Sequence, residues 1–402
     1  MPFTIRIEVN CVDTVDGEIL KYAVARAVKR YPYFLIRVAK KGEEYIAEKN
    51  GLPVCVLQGD TSPTLGSDEV NGHLIAFSYS GKVINGFASH VICDGAGYFP
   101  MMKTVLYYYI CERYGIDAAA DEIYLEDTPF FEDETVNPWP EDKMKTAKPL
   151  YIRPDKPFFR LTEGGYVNDS TPTAYRLKIK ESDVLRFSHD NDASPCALIS
   201  SLMAKVMFSL HPQNQKDIVS AVSFNLRPAL RNIHNYRMLC SWIALRYPKR
   251  MAQYPIDRLC TCSRGMVSIQ SQPENVLYYG QNLKEMLEEF EKLPLSEKKA
   301  IMGEKALCDC TENTFSVSYV GRVGIDSLAP YINSIYNFTD GSTYKTLFIE
   351  VFALNGWFDV VFLQGFSNSI YFEEFVKELE KNGLEYQKER VSPLNTPKMF
   401  LP

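Results

Sequence analysis

Six prolines fall between Pro129 and Pro157, in the run "TPFFEDETVNPWPEDKMKTAKPLYIRPDKP". Proline fixes φ and lacks a backbone N–H, so a stretch this dense in it is expected to hold neither a helix interior nor a central strand. Acidic and basic residues are mixed through it. The run reads as a crossover linker within residues 128–170, dividing the chain into an N-terminal unit over 1–150 and a C-terminal unit over 171–402. The length points the same way: 402 residues exceed what one hydrophobic core usually serves.

Both halves mix the two hydrophobic periods. "FTIRIEV" alternates apolar and polar residues, which predicts a half-buried strand. In "DGEILKYAVARAVKRYP", Leu20, Ala23, Val24, Ala27 and Val28 fall on one helical stripe, and Pro32 stops it. "YFLIRVA" and "EYIAEK" read as strands, and "HLIAFSYSG" with "KVINGFAS" as a hairpin around Gly81. After Gly95-Ala96-Gly97 the pattern predicts a helix to about Tyr114, ended by Gly115. Beyond the linker, "TAYRLKIK", "IVSAVSFNLR", "TFSVSYVG", "KTLFIEVFALNG" and "WFDVVFLQGF" read as strands. "SPCALISSLMAKVMFSLHP" reads as a helix with Ser194 as its N-cap and Pro195 in its first turn. "QNLKEMLEEFEKL" and "YFEEFVKELEKNG" complete the helices. The expected class is α/β (α+β), two layered units with mixed sheets flanked by helices.

A net charge of −6 offers no general attraction to nucleic acid or to an anionic membrane. No apolar run approaches the roughly 18 to 20 residues of a membrane span, and the first residues lack the pattern of a secretory signal, so a cytoplasmic location is expected. The ten cysteines are scattered, which favours reduced, buried thiols. The pairs Cys260/Cys262 and Cys308/Cys310 lack the usual zinc spacing, and no metal is expected.

The chemistry concentrates at "FASHVICDGAGYFP". His90 follows a strand and precedes an Asp-Gly turn, a place from which a side chain reaches a cleft. A neutral imidazole accepts a proton near pH 7 and returns it later. Asp94 is expected to face away from His90 and to need an arginine partner, and Gly95 to allow a backbone approach that a Cβ would block. The six residues alone leave a second reading open: a histidine on an apolar run also serves as a hydrogen-bonded core residue, and Asp-Gly is a common turn dipeptide.

His90-Val91-Ile92-Cys93-Asp94-Gly95 resembles the His-x3-Asp-Gly motif of the thioester-dependent acyltransferase superfamily, which includes alcohol acetyltransferases, chloramphenicol acetyltransferase and condensation domains of nonribosomal peptide synthesis. "ILKYAVARAVKRYPYFLIRV" resembles its early helix and turn, "SAVSFNLRPAL" its Asn/Asp-Leu-Arg strand, "VSYVGRV" its Ser-Asn-x-Gly strand, and "GWFDVVFLQGFSNSIYFEEFVKELEKNG" its closing strand and helix. The likeness runs over nearly the full length, and the first motif is its most specific part. Three positions depart from it. Ser89 stands where condensation domains usually carry a second histidine, Tyr319 replaces the Asn of the Ser-Asn-x-Gly pattern, and "NGWFD" does not match the plant-branch Asp-Phe-Gly-Trp-Gly signature.

The resemblance implies two chloramphenicol acetyltransferase-like domains in a V-shaped, pseudo-dimeric monomer, with a tunnel between them and the histidine midway along it. It implies His90 as general base, with Asp94 shaping the loop through an ion pair to Arg227. Coenzyme A would be a co-substrate rather than a bound cofactor. The donor would be an acyl-CoA or an acyl carrier protein, and the acceptor a small alcohol or amine. Ser318 is a candidate oxyanion donor and Ser89 a candidate for orienting the imidazole. "YRLKIK" and "RPALRNIHNYR" are the local positive charge available for phosphates. The alternatives are a condensation-type amide synthase and a non-catalytic binding module on the same fold.

Overall fold

In the computed structural model, residues 4–42, 44–120, 122–167, 169–301, 313–339, 346–394 and 398–400 are described. Two mixed sheets organise them. The first, in spatial order, runs Ile332–Thr339, Thr4–Cys11, Val83–Ser89, Ile75–Ser80 and Val56–Gln58. The second runs Cys240–Tyr247, Ile218–Asn225, Phe315–Arg322, Leu347–Leu354, Trp357–Gln364, Thr173–Lys180 and Tyr386–Pro393. Strand Ile332–Thr339 comes from the second half of the chain, yet pairs antiparallel with Thr4–Cys11 from Ile5↔Thr339 to Asn10↔Ser334. The first sheet is therefore completed by residues that lie far beyond the linker in sequence.

Helices cover one face of each sheet. Gly17–Ala27 buries Leu20, Ala23, Val24 and Ala27, the predicted stripe, and Asp16 caps it by accepting the N–H groups of Glu18 and Ile19. Val28 follows as its C-cap, so the helix ends ahead of Pro32, which opens a short 3₁₀ turn four residues past that cap. With Gly95–Tyr114, this helix packs on Ile5, Ile7, Val9, Ile84 and Ala88. In the second half, Pro195–Leu210 starts as expected, with Ser194 Oγ accepting from Ala197 N–H at 3.3 Å and Pro195 at N1. It packs with Ile370–Lys381 on Val317, Ile349, Val360 and Phe362. Among the described residues, no single helix is long and apolar enough to cross a membrane; one pair bent by 84°, Glu181–Asp190 with Pro195–Leu210, passes by composition. Its longer member buries its apolar side chains in the second core.

Several expectations need correction. Strand Thr4–Cys11 is buried on both faces rather than half-buried, because its polar positions meet the second sheet. Glu8 receives Arg176 Nη2 at 3.2 Å and Arg390 Nη2 at 2.9 Å, and Arg6 lies over the Phe338 ring. The proline-rich run does hold a helix, Glu141–Thr146, short enough to fit between Pro140 and Pro149. That run is also anchored: Glu134 forms a buried fork with Arg30, at 2.6 and 2.9 Å, and accepts the Tyr33 hydroxyl. Strands Cys240–Tyr247, Ile332–Thr339 and Tyr386–Pro393 and helices Glu181–Asp190 and Ile256–Gln270 lie outside the elements read from the sequence. Cys260 and Cys262 are free thiols, and Cys308 and Cys310 lie outside the described residues.

Candidate functional site

The hairpin strands Ile75–Ser80 and Val83–Ser89 pair around Gly81, which takes φ +55. The second strand lies beside Thr4–Cys11, with Ser89 opposite Thr4, so its end is held from both sides. A tight turn follows: Ile92 N–H donates to the Ser89 carbonyl at 3.2 Å, and Val91 N–H to Ser89 Oγ at 3.4 Å. Ser89 thus bonds the backbone of the turn that carries His90. His90 sits in this turn, half-buried, with Nδ1 enclosed and without a hydrogen-bond partner. Burial moves its pKa below the ordinary 6.5, with the Asp94 charge and the backbone carbonyls of His90 and Cys93 pulling the other way. The ring is therefore neutral at pH 7 and able to take a proton.

Asp94 ends the turn and caps the helix Gly95–Tyr114. Its Oδ1 accepts Gly97 N–H at 2.8 Å and Arg227 Nη2 at 2.8 Å; its Oδ2 accepts Arg227 Nη1 at 2.9 Å and Leu239 N–H at 2.8 Å. The predicted arginine partner is found, and the pair is closed: Asp94 is 2% and Arg227 3% exposed. Arg227 spends its other donors on backbone and amide oxygens. Nε reaches the Asn235 carbonyl at 2.7 Å, Nη2 the Arg237 carbonyl at 2.7 Å, and Nη1 the Asn225 Oδ1 at 3.2 Å. A guanidinium has five N–H groups in a fixed fork, and here they meet five acceptors. The bond crosses from the His90 loop to the element that follows strand Ile218–Asn225, so it locks the two sheets at the motif.

The steric demand falls on Gly97 rather than Gly95. A Cβ on Gly95 would meet nothing within 4 Å, so the close approach expected there is absent. A Cβ on Gly97 would lie 2.0 Å from the Tyr236 carbonyl oxygen and 3.1 Å from Arg227 Nη2. Backbone cannot yield as a flexible side chain can. Gly97→Ala is expected to cost about 3 kcal/mol by overpacking, whereas Gly95→Ala is expected to be neutral or to stabilise by up to about 1 kcal/mol. Chemical denaturation of the two variants reads the contrast directly. The Tyr236 loop, residues 232–237, is a component that motif reading missed. Asn235 Nδ2 ties it to the Asp133 and Val136 carbonyls at 2.8 and 3.0 Å, and Tyr236 stacks on Tyr33 at 4.2 Å. Nothing in the spacing of "NIHNY" announces that role, because it depends on backbone carbonyls.

Ser318 lies on strand Phe315–Arg322 opposite Glu350, and its side chain reaches that carboxyl. The positive charge of "YRLKIK" is paired with carboxylates: Arg176 with Glu8 and Lys178 with Asp359 in buried contacts, and Lys180 with Glu385 at the surface. Arg227 is likewise buried against Asp94. A cavity of about 330 Å³ lies near Arg322, Gly324 and Asn355, and another of about 340 Å³ near Tyr22, Tyr107 and Cys111. His90 lines neither of them.

No family model and no curated protein matches this chain in sequence. Solved structures do match it in fold, over nearly their whole length. TRI101 from F. sporotrichioides, complexed with coenzyme A and T-2, superposes with a TM-score of 0.60 at 9% identity, over 96% of each chain. The first condensation domain of the CDA synthetase gives 0.61 at 12% identity, over 98% of this chain and 92% of its own. Polyketide synthase associated protein 5 from Mycobacterium tuberculosis gives 0.59 at 12% identity, over 94% and 93%. The mixed α/β architecture of this chain is the fold of these three structures.

Proposed function

We propose that this chain, built on the fold shared by thioester-dependent acyltransferases and condensation domains, moves an acyl group from a thioester, acetyl-CoA or a close relative, to an alcohol or amine. His90 takes the proton from the acceptor O–H or N–H as its oxygen or nitrogen bonds to the thioester carbonyl carbon. The carbonyl oxygen becomes a tetrahedral oxyanion. Collapse of that intermediate restores the carbonyl and breaks the C–S bond, and the departing thiolate receives the proton from His90. No covalent enzyme intermediate is required when both substrates meet at one imidazole, and proximity supplies much of the acceleration.

The observation that carries this reading is the neutral His90, set at the end of a central strand in a turn clamped by the buried Asp94–Arg227 fork. A loop held this tightly keeps a base in place, and misplacement by 1 Å costs on the order of 10²-fold in rate. A carrier-bound thioester in place of acyl-CoA fits the same steps. It is favoured by the pairing of each "YRLKIK" charge with a carboxylate, two of the three pairs buried, which leaves less free positive charge for the phosphates of coenzyme A.

The test is release of free thiol by the purified protein from acetyl-CoA and from carrier-bound acyl donors, with a panel of alcohols and amines. Release no faster than with His90→Ala for every donor would leave a binding module as the function. The pH profile is a separate check. Because burial sets the His90 pKa below 6.5, kcat/KM is expected to be level from pH 7 upward and to fall only below about 6.5. An acid limb centred above pH 7 contradicts the assigned base.

A further inference from the structure

The far end of helix Gly95–Tyr114 meets helix Gly17–Ala27 over a cavity of about 340 Å³. From Gly95 to Cys111 the helix rises about 24 Å at 1.5 Å per residue, so this cavity is remote from the His90 turn. Tyr22 and Arg26, one turn apart on the first helix, form one wall; Tyr107, Tyr108 and Glu112 of the second form the other. Gly115, at φ +62, ends the second helix, and Asp117 lies just beyond it at the rim.

Three tyrosine rings therefore line one small space. Tyr22 is 46% exposed. Tyr107 donates its hydroxyl to the Ala118 carbonyl at 3.0 Å, and the Tyr108 hydroxyl accepts Glu126 N–H at 2.9 Å. With those hydroxyls engaged, what Tyr107 and Tyr108 have left to offer is ring. The face of an aromatic ring is the negative side of its quadrupole and attracts cations. The cavity wall already shows it: the Arg26 guanidinium carbon lies 4.0 Å from the Tyr108 centroid and 5.8 Å from that of Tyr22.

Charge selects the same sign. Arg26 and Lys29 are both held by Glu126, at 2.6 and 3.1 Å. Glu112 and Asp117 are exposed and, among the described residues, make no hydrogen bond or ion pair. Burial, then Cys111, then Asp117 raise the pKa of the Tyr107 hydroxyl, which puts the Asp117 charge beside that ring. Two cations against three carboxylates leave the cavity negative, and the C-terminal end of a 20-residue helix adds the negative end of its dipole.

We propose that this cavity binds a small quaternary ammonium compound, its N-methyl groups against the tyrosine rings and its charge facing Glu112 and Asp117. A quaternary nitrogen has no N–H to donate, so ring faces and unpaired carboxylates are the groups that recognise it. The volume suits such a ligand, at the low end of the roughly 300 to 1,000 Å³ of small-molecule sites.

The experiment is equilibrium dialysis of labelled choline against the full chain at low ionic strength, with 3,3-dimethylbutan-1-ol, its neutral isostere, and ethanolamine as competitors. Choline is expected to bind saturably, and both competitors to displace it at least tenfold less well than unlabelled choline does. Tyr22→Ala removes one ring, and Glu112→Gln with Asp117→Asn removes the rim charge. Each variant is expected to weaken choline about tenfold and, because the positions are exposed, to shift the melting temperature by no more than about 2 °C. No saturable choline binding, equal displacement by the isostere, or unchanged affinity in both variants overturns the site. Ethanolamine displacing choline as well as choline itself does assigns the binding to the carboxylates alone, which also overturns it. The readout is binding far from His90, so the presence or absence of thiol release does not bear on it.

Discussion

His90→Ala releases thiol from an acyl thioester at least a hundredfold more slowly than the wild type, with its melting temperature changed by no more than about 2 °C. A positioned general base contributes about 10² to 10⁴ in rate, and a hundredfold corresponds to about 2.7 kcal/mol of barrier. The split between rate and stability follows from the geometry. His90 is half-buried in a turn and its Nδ1 has no close partner, so truncation removes only ring contacts with the His90 and Cys93 carbonyls of its own turn. The turn itself is closed by backbone and Ser89 contacts that the substitution leaves in place. A variant as fast as the wild type shows that the imidazole does no chemistry. A variant that melts many degrees lower returns His90 to the role of a core residue, the bland reading that its six neighbours left open.

The second large effect belongs to the clamp. Removing one partner of a buried ion pair strands the other, which costs about 3 to 5 kcal/mol. Arg227→Ala leaves both Asp94 oxygens short of a partner, together with Asn225 Oδ1 and the carbonyls of Asn235 and Arg237. The expected loss is therefore at the upper end of that range, read by chemical denaturation, with thiol release reduced about 10²-fold because the His90 turn loses its anchor. Arg227→Lys rescues little, since an ammonium cannot span two carboxylate oxygens and the Asn235 carbonyl at once. In a double-mutant cycle with Asp94→Ala, the pair should cost well under the sum of the single variants. Additive costs would mean that the fork seen here does not hold the sheets together.

Much of the local structure was legible because it depends on near neighbours. The helix ended by Gly115, the hairpin at Gly81 and the Ser194 cap are each written within a few residues, and each is found where the pattern puts it. The Asp94–Arg227 pair was also anticipated, although 133 residues separate its members, because the motif resemblance named both ends. What failed had another cause. Strand Thr4–Cys11 alternates as a half-buried strand would, but its polar face is covered by a second sheet that brings its own arginines. Gly95 looked like the glycine that mattered, yet the carbonyl that excludes a side chain belongs to Tyr236 and faces Gly97.

The sequence alone thus determined the elements, their caps and the residue types that chemistry at His90 would need, since those follow from periods of 2 and 3.6 and from the pKa of an imidazole. Only the tertiary structure decided which strand completes the first sheet, which glycine must stay a glycine, and which charges remain free. Those outcomes depend on groups brought together from distant parts of the chain, and pairing across such distances leaves no local pattern to read.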